Sequence, residues 1–158
     1  EQGVKFLIVP HEIDAVTLHE VQEKIPAKSL LYTECTADTD FTDVQVLVVN
    51  ILGSLSRIYR YGNWAYVGGG FTAYLHSVIE PAVYGIPVAF GPRIERKTTP
   101  KEMVRRGIGA IVTTPEGLCY WFNQVREVRE QEDVKSRATA FIEANANFTH
   151  KVCANIEQ

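Results

Sequence analysis

Apolar residues fall into short, nearly continuous runs separated by segments with helical spacing. Six runs rich in Val, Ile and aromatic residues predict strands: Val4–Val9, Ser29–Tyr32, Gln45–Val49, Trp64–Val67, Pro87–Phe90 and Ala110–Thr113. Runs that do not alternate read as strands buried on both faces. Helices are predicted at Ala15–Lys24, Ser54–Tyr61, Ser77–Tyr84, Lys101–Arg106 and Glu116–Arg129. Asp14, Ser54 and Thr114 are expected N-caps, with Pro115 at a first helical position. Gly62 and Gly85 stand where C-terminal caps belong. From Asp133 onward the pattern is helical, with Ala138, Phe141, Ile142, Ala144 and Phe148 as apolar points. The repeated alternation predicts an α/β fold, a Rossmann-like parallel sheet whose right-handed crossovers place helices on both faces.

Composition narrows the class. The 158 residues are 46% hydrophobic, which excludes disorder and suits a single domain over residues 1–158. Cys35, Cys119 and Cys153 are odd in number, widely spaced and without a C-x-x-C pair, so they read as buried free thiols of a reducing compartment. The longest stretch without Asp, Glu, Lys or Arg, Tyr61–Ile79, is 19 residues but contains four glycines and several polar residues. It is too polar for a membrane span. No signal peptide opens the chain, and the strand pattern starting at Val4 reads as part of something longer.

The net charge of −3 argues against nucleic-acid binding. Its distribution is uneven. Residues 1–43 carry 3 basic and 9 acidic groups, whereas residues 93–106 carry 6 basic and 2 acidic ones. Arg93, Arg96, Lys97, Lys101, Arg105 and Arg106 form this cationic stretch, which by charge alone reads as a solvated helix face.

Ligands of open parallel sheets bind beyond the carboxyl ends of the strands. Four polar blocks fall at such ends: Val9-Pro10-His11-Glu12, Asn50–Ser54, Gly68-Gly69-Gly70 followed by His76 and Glu80, and Gly91-Pro92-Arg93. The stretch Gly68–Ala73 fits the G-x-G-x-x-A fingerprint weakly, since it follows the fourth strand and no acidic partner closes the next one. Ala15 stands where H-E-x-x-H needs its second histidine, and neither a P-loop nor a nucleophile elbow occurs. Two groups such as His76 and Glu80 do not make a metal site. Asn147-Phe148-Thr149 is a glycosylation sequon by letter only.

The order of the blocks is more specific. Tyr66–Pro92, reading Y-V-G-G-G-F-T-A-Y-L-H-S-V-I-E-P-A-V-Y-G-I-P-V-A-F-G-P, resembles the donor-binding half of the 3-deoxy-D-manno-octulosonic acid (Kdo) transferases. Val9-Pro10-His11, the turn Asn50–Leu55 and the Arg60–Trp64 segment resemble further blocks of that family, in the same order. Two positions depart from it, Asn50 for an Asp and Ser77 for an Asn. The resemblance implies the C-terminal half of a two-domain B-type glycosyltransferase (GT-B) of lipopolysaccharide synthesis. It implies that CMP-Kdo is the donor, contacted by Pro10, His11, Leu52, Gly53, Ser54, His76, Ser77, Val78, Ile79, Glu80 and Arg93. Glu80 would accept the ribose hydroxyls, and helix N-termini at Ser54 and Ser77 would hold the phosphate. The lipid A precursor acceptor and the catalytic base would belong to an N-terminal domain not matched here. The full-length enzyme would work at the cytoplasmic side of the inner membrane, without cofactor or metal. The residues alone leave open another nucleotide-sugar transferase or epimerase, a dinucleotide-dependent oxidoreductase and a non-catalytic interaction domain.

Overall fold

The computed structural model describes residues 3–72 and 74–146. Ala73, Phe148, Cys153 and the sequon at Asn147 lie outside the described residues. Against the expectation of burial, the free thiols of Cys35 and Cys119 are half-buried and exposed, respectively. The elements are β1 (Phe6–Ile8), α1 (Ala15–Lys24), β2 (Ser29–Leu31), β3 (Val46–Val48), α2 (Leu55–Ile58), β4 (Ala65–Val67), α3 (Ile79–Val83), β5 (Val88–Phe90), α4 (Thr98–Arg105), β6 (Gly109–Ile111), α5 (Pro115–Val125) and α6 (Val128–Ala146), with single 3₁₀ turns at Tyr32–Glu34 and Tyr59–Tyr61. Every predicted strand forms, and every pairing between strands is parallel. The strands are divided between two three-stranded sheets, β1-β3-β2 and β4-β5-β6. Correspondingly the chain forms two compact units, Glu1–Leu55 and Ser56–Gln158.

In the first unit, β3 is the central strand, and Val46 and Val48 meet Leu18 of α1 in the core. Phe6 and Leu7 of β1 are largely exposed, against the expectation of burial on both faces. Their strand is an edge, paired on one side only. Asp14 caps α1 as expected, accepting from the Val16 and Thr17 amides at 3.0 and 3.1 Å. Lys5 fastens the acidic loop before β3: its ammonium donates to the carbonyls of Phe41, Thr42 and Val44 at 3.1, 3.2 and 2.6 Å.

In the second unit, Val88, Ala89 and Phe90 of β5 are wholly buried, and since successive side chains point to opposite faces both faces of this strand are covered. Val67, Val88 and Phe90 join Met103 of α4 and Val134, Ala138 and Phe141 of α6 in one core. The 4-3 spacing of these α6 residues is one stripe of a helix. Ala144, expected among its apolar points, is exposed because it lies off that stripe. Helix α4 starts earlier than predicted because Pro100, which reads as a breaker, falls in the first turn where no amide donor is missed. The single helix expected over Glu116–Arg129 is two. Its break follows from side chains that take the last carbonyls of α5: Trp64 donates to Val125 O at 2.9 Å and Gln131 to Arg126 O at 2.9 Å. Thr114 caps α5 through the Gly117 amide, with Pro115 next in line, as expected.

Candidate functional site

At the carboxyl end of β4 the chain enters Gly68-Gly69-Gly70 and later returns antiparallel, with Gly69 bridged to Leu75. The Gly70 amide donates to Tyr74 O at 2.6 Å and the His76 amide to Gly68 O at 3.3 Å. Gly70 and Gly91 cross backbone to backbone. A side-chain carbon on Gly91 would come within 2.6 Å of Gly70 C, and Gly70 holds a φ of +76°. This crossing requires glycine on both strands. It brings the loop after β4 against the loop after β5, and the Arg93 amide seals them by donating to Gly70 O at 2.8 Å. Lys97 adds a second tie, its ammonium donating to Leu75 O at 3.2 Å.

Three of the predicted residues lie on the segments that flank this crossing. His76 stands over Gly68, its Cδ2 3.8 Å from where a side chain would begin, and Arg93 leaves the crossing with an exposed side chain. Glu80 lies in the first turn of α3, half-buried. His76 and Glu80 do not share a helix face, because the antiparallel return keeps residues up to 76 extended and α3 begins only at Ile79. Ser77 is exposed, whereas the Val78 side chain is buried and Ile79 packs on the core, so those two offer backbone alone. Tyr59, not singled out by the sequence, belongs to this neighbourhood. Burial, and then the Glu80 carboxylate, push its hydroxyl pKa above the usual range. Only its aromatic character beside a family-like block would have signalled it.

Pro10, His11 and the Leu52–Ser54 turn belong to the first unit. His11 is exposed directly after β1, and Leu52 is 79% exposed beside Gly53, whose φ is +74°. Ser54 is not the expected N-cap: its hydroxyl donates to Ile51 O at 3.2 Å. Helices α2 and α3 span four and five residues, shorter than predicted, so an anion at either N-terminus would meet few aligned peptides. Asn50 is committed to Thr33, accepting from its amide at 3.1 Å and donating to its hydroxyl at 2.8 Å.

The cationic stretch also divides. Arg105 and Arg106 both bind Glu102, at 2.6–2.8 Å, and these bonds hold its carboxyl at a pKa of about 2. Arg106 additionally covers the Phe141 ring. Lys101 donates to Glu95 O and Lys97 to Leu75 O. Arg93 and Arg96 are exposed and make no side-chain hydrogen bond or ion pair among the described residues. Among those residues no cluster of three or more metal-binding side chains occurs, and no helix is long and apolar enough to cross a membrane.

No family model matches the sequence. A curated 3-deoxy-D-manno-octulosonic acid transferase of Chlamydia pneumoniae is 30% identical over 121 residues, 75% of this chain and 26% of that protein. This chain is a homologue of the Kdo transferases. The enzyme of the same name from Aquifex aeolicus is 25% identical over 139 residues, 86% of this chain and 37% of the relative. The chain thus spans between about a quarter and somewhat over a third of the length of these Kdo transferases. Its fold is that of the C-terminal CMP-Kdo binding domain of WaaA from Acinetobacter baumannii, at a TM-score of 0.72 and 18% identity, over 85% of this chain and 71% of that one. The Kdo transferase-like block Tyr66–Pro92 therefore corresponds to one physical object: β4, the glycine loop, α3, β5 and the crossing that joins the two loops.

Proposed function

We propose that this chain is the donor-binding half of a Kdo transferase and holds CMP-Kdo. The observation that carries the reading is the homology to Kdo transferases, with the family-like block folded into the crossed loops at the carboxyl ends of β4 and β5. In the second unit, His76 and Arg93 face the anionic donor, Ser77, Val78 and Ile79 contact it largely through backbone, and Glu80 accepts the ribose hydroxyls. In the first unit, Pro10, His11, Leu52, Gly53 and Ser54 are the candidate contacts. Charge-assisted hydrogen bonds of this kind are the strong ones. In the reaction, an acceptor hydroxyl oxygen bonds to the anomeric carbon of Kdo while the bond from that carbon to the phosphate oxygen breaks, and CMP leaves with the electron pair. We assign the lipid A precursor that supplies the hydroxyl, and the base that takes its proton, to the part of the relatives this chain does not span. The site of action of the whole enzyme is the cytoplasmic side of the inner membrane, and residues 1–158 serve as a single nucleotide-sugar-binding module.

Calorimetric titration of the 158-residue chain with CMP, UMP, UDP and NADH tests the reading. CMP is expected to bind in preference to the other three. Equal or tighter binding of a uridine nucleotide would move the chain to another nucleotide-sugar class, and tighter NADH binding to a dinucleotide enzyme. Transfer of Kdo by the chain alone would overturn the division of labour.

A further inference from the structure

The geometry points to Arg93 and Arg96 as a guanidinium pair that recognises the carboxylate of the donor's sugar acid. The inference rests on the donor-binding reading and adds to it the group that distinguishes an acidic sugar from a neutral one. Six cations lie between residues 93 and 106, and four have protein acceptors: Lys97 on Leu75 O, Lys101 on Glu95 O, and Arg105 and Arg106 on Glu102. Arg93 and Arg96 have none among the described residues, although Glu95 stands between them in sequence. No ion pair joins its carboxylate to either arginine.

These two residues do not ride on a loose segment. Ile94 between them is buried in the core, the Ile94 amide donates to Pro92 O at 2.9 Å, and the Lys97 amide closes the turn on Ile94 O at 2.9 Å. The Arg93 amide and the Lys97 ammonium then tie this turn to the glycine loop. The backbone that carries both guanidiniums is therefore fixed before any ligand arrives, which lowers the ordering cost of binding. It is fixed beyond the carboxyl end of β5, where ligands of parallel sheets are held. A guanidinium presents a planar fork of donors that matches the two oxygens of a carboxylate, whereas a phosphate diester is also met by any point charge.

Titration of the 158-residue chain and its Arg96→Gln variant with CMP, with CMP-Kdo and with free Kdo separates the contributions. Arg96→Gln is expected to weaken CMP-Kdo about tenfold, the scale of one charge-assisted hydrogen bond, and to leave CMP within about twofold. Arg96→Lys keeps the charge but not the fork, and should recover less than half of the lost affinity on a logarithmic scale. Equal losses for CMP and CMP-Kdo would overturn the inference in favour of general attraction to the phosphate. So would unchanged CMP-Kdo binding in the double variant Arg93→Gln/Arg96→Gln. Absence of CMP binding by the unaltered chain would instead sink the donor reading, and this inference with it. A parallel sedimentation assay with phosphatidylglycerol vesicles covers the remaining source of anions. Loss of vesicle binding in the double variant, with CMP-Kdo binding intact, would make the pair a lipid contact and refute the assignment.

Discussion

Replacing Gly91 by alanine puts one methyl group into the crossing of the two loops. The added carbon would lie 2.6 Å from Gly70 C, 2.7 Å from Gly69 O and 2.8 Å from Gly70 O. Ordinary carbon contacts lie at about 3.5–4.0 Å, so the shortfall is roughly 1 Å against backbone that has no rotamer to change. The glycine loop must move by about that amount. Overpacking of this kind costs about 1–3 kcal/mol, and the shift stretches the 2.8 Å bond from Arg93 N to Gly70 O beyond use, adding about 0.5–1.5 kcal/mol. The expected loss is about 1.5–4.5 kcal/mol. Gly91 does not have a positive φ, so the effect is steric alone. Gly53→Ala is the complementary control: its φ is +74° with nothing within 4 Å of the new carbon, and the backbone term alone costs about 1–2 kcal/mol. Urea unfolding monitored by tryptophan fluorescence reads the first variant, since Trp64 and Trp121 both belong to the second unit. Far-UV circular dichroism reads the control. Amide exchange at Arg93 should accelerate in Gly91→Ala. A stability change below about 0.5 kcal/mol with unaltered Arg93 exchange would refute the crossing as a constraint.

Glu80→Gln should cost roughly 1.5–3 kcal/mol of CMP binding, read by calorimetry, and leave the urea midpoint nearly unchanged because the two residues have similar helix propensity. Glu102 has a folded pKa lowered from 4.5 to about 2 by its bonds to Arg105 and Arg106, so its contribution to stability is complete above pH 4.5 and vanishes as pH falls through about 2. Urea midpoints of the unaltered chain and Glu102→Gln should therefore differ at pH 6 and converge toward pH 2, with the Glu102 titration followed by NMR. Lys5→Met removes three donations to the 41–44 loop and should destabilise the first unit by about 1–3 kcal/mol, with faster amide exchange at Val44.

The strands were legible because a Val- or Ile-rich run bounded by polar residues has few other ways to bury itself, and all six formed within a few residues of their predicted limits. Helix limits were less so, and the reasons are particular. Pro100 disguises the start of α4, while Trp64, far away in sequence, fixes the end of α5. At the candidate site the sequence supplied the residue types and their order, but not the antiparallel return that lifts His76 off the helix carrying Glu80. Nor does charge counting reveal which cations of residues 93–106 are already engaged, because that depends on Glu102 and on carbonyls presented by the fold. Asn50 is a similar case: a departure from the family pattern in sequence, a clasp on Thr33 in space.

The break between α5 and α6 bears on the order of folding. The sequence pattern over Glu116–Arg129 favours one uninterrupted helix across the break, and the carbonyl that Trp64 takes there lies 61 positions away along the chain. Helical segments form in about a microsecond, well before contacts of high sequence separation. The early chain should therefore carry more helix across Arg126 and Glu127 than the native state does, and lose it when the indole arrives. Refolding followed at 222 nm would then overshoot before settling, and Trp64→Phe, which keeps the ring but not the donor, would prolong the overshoot.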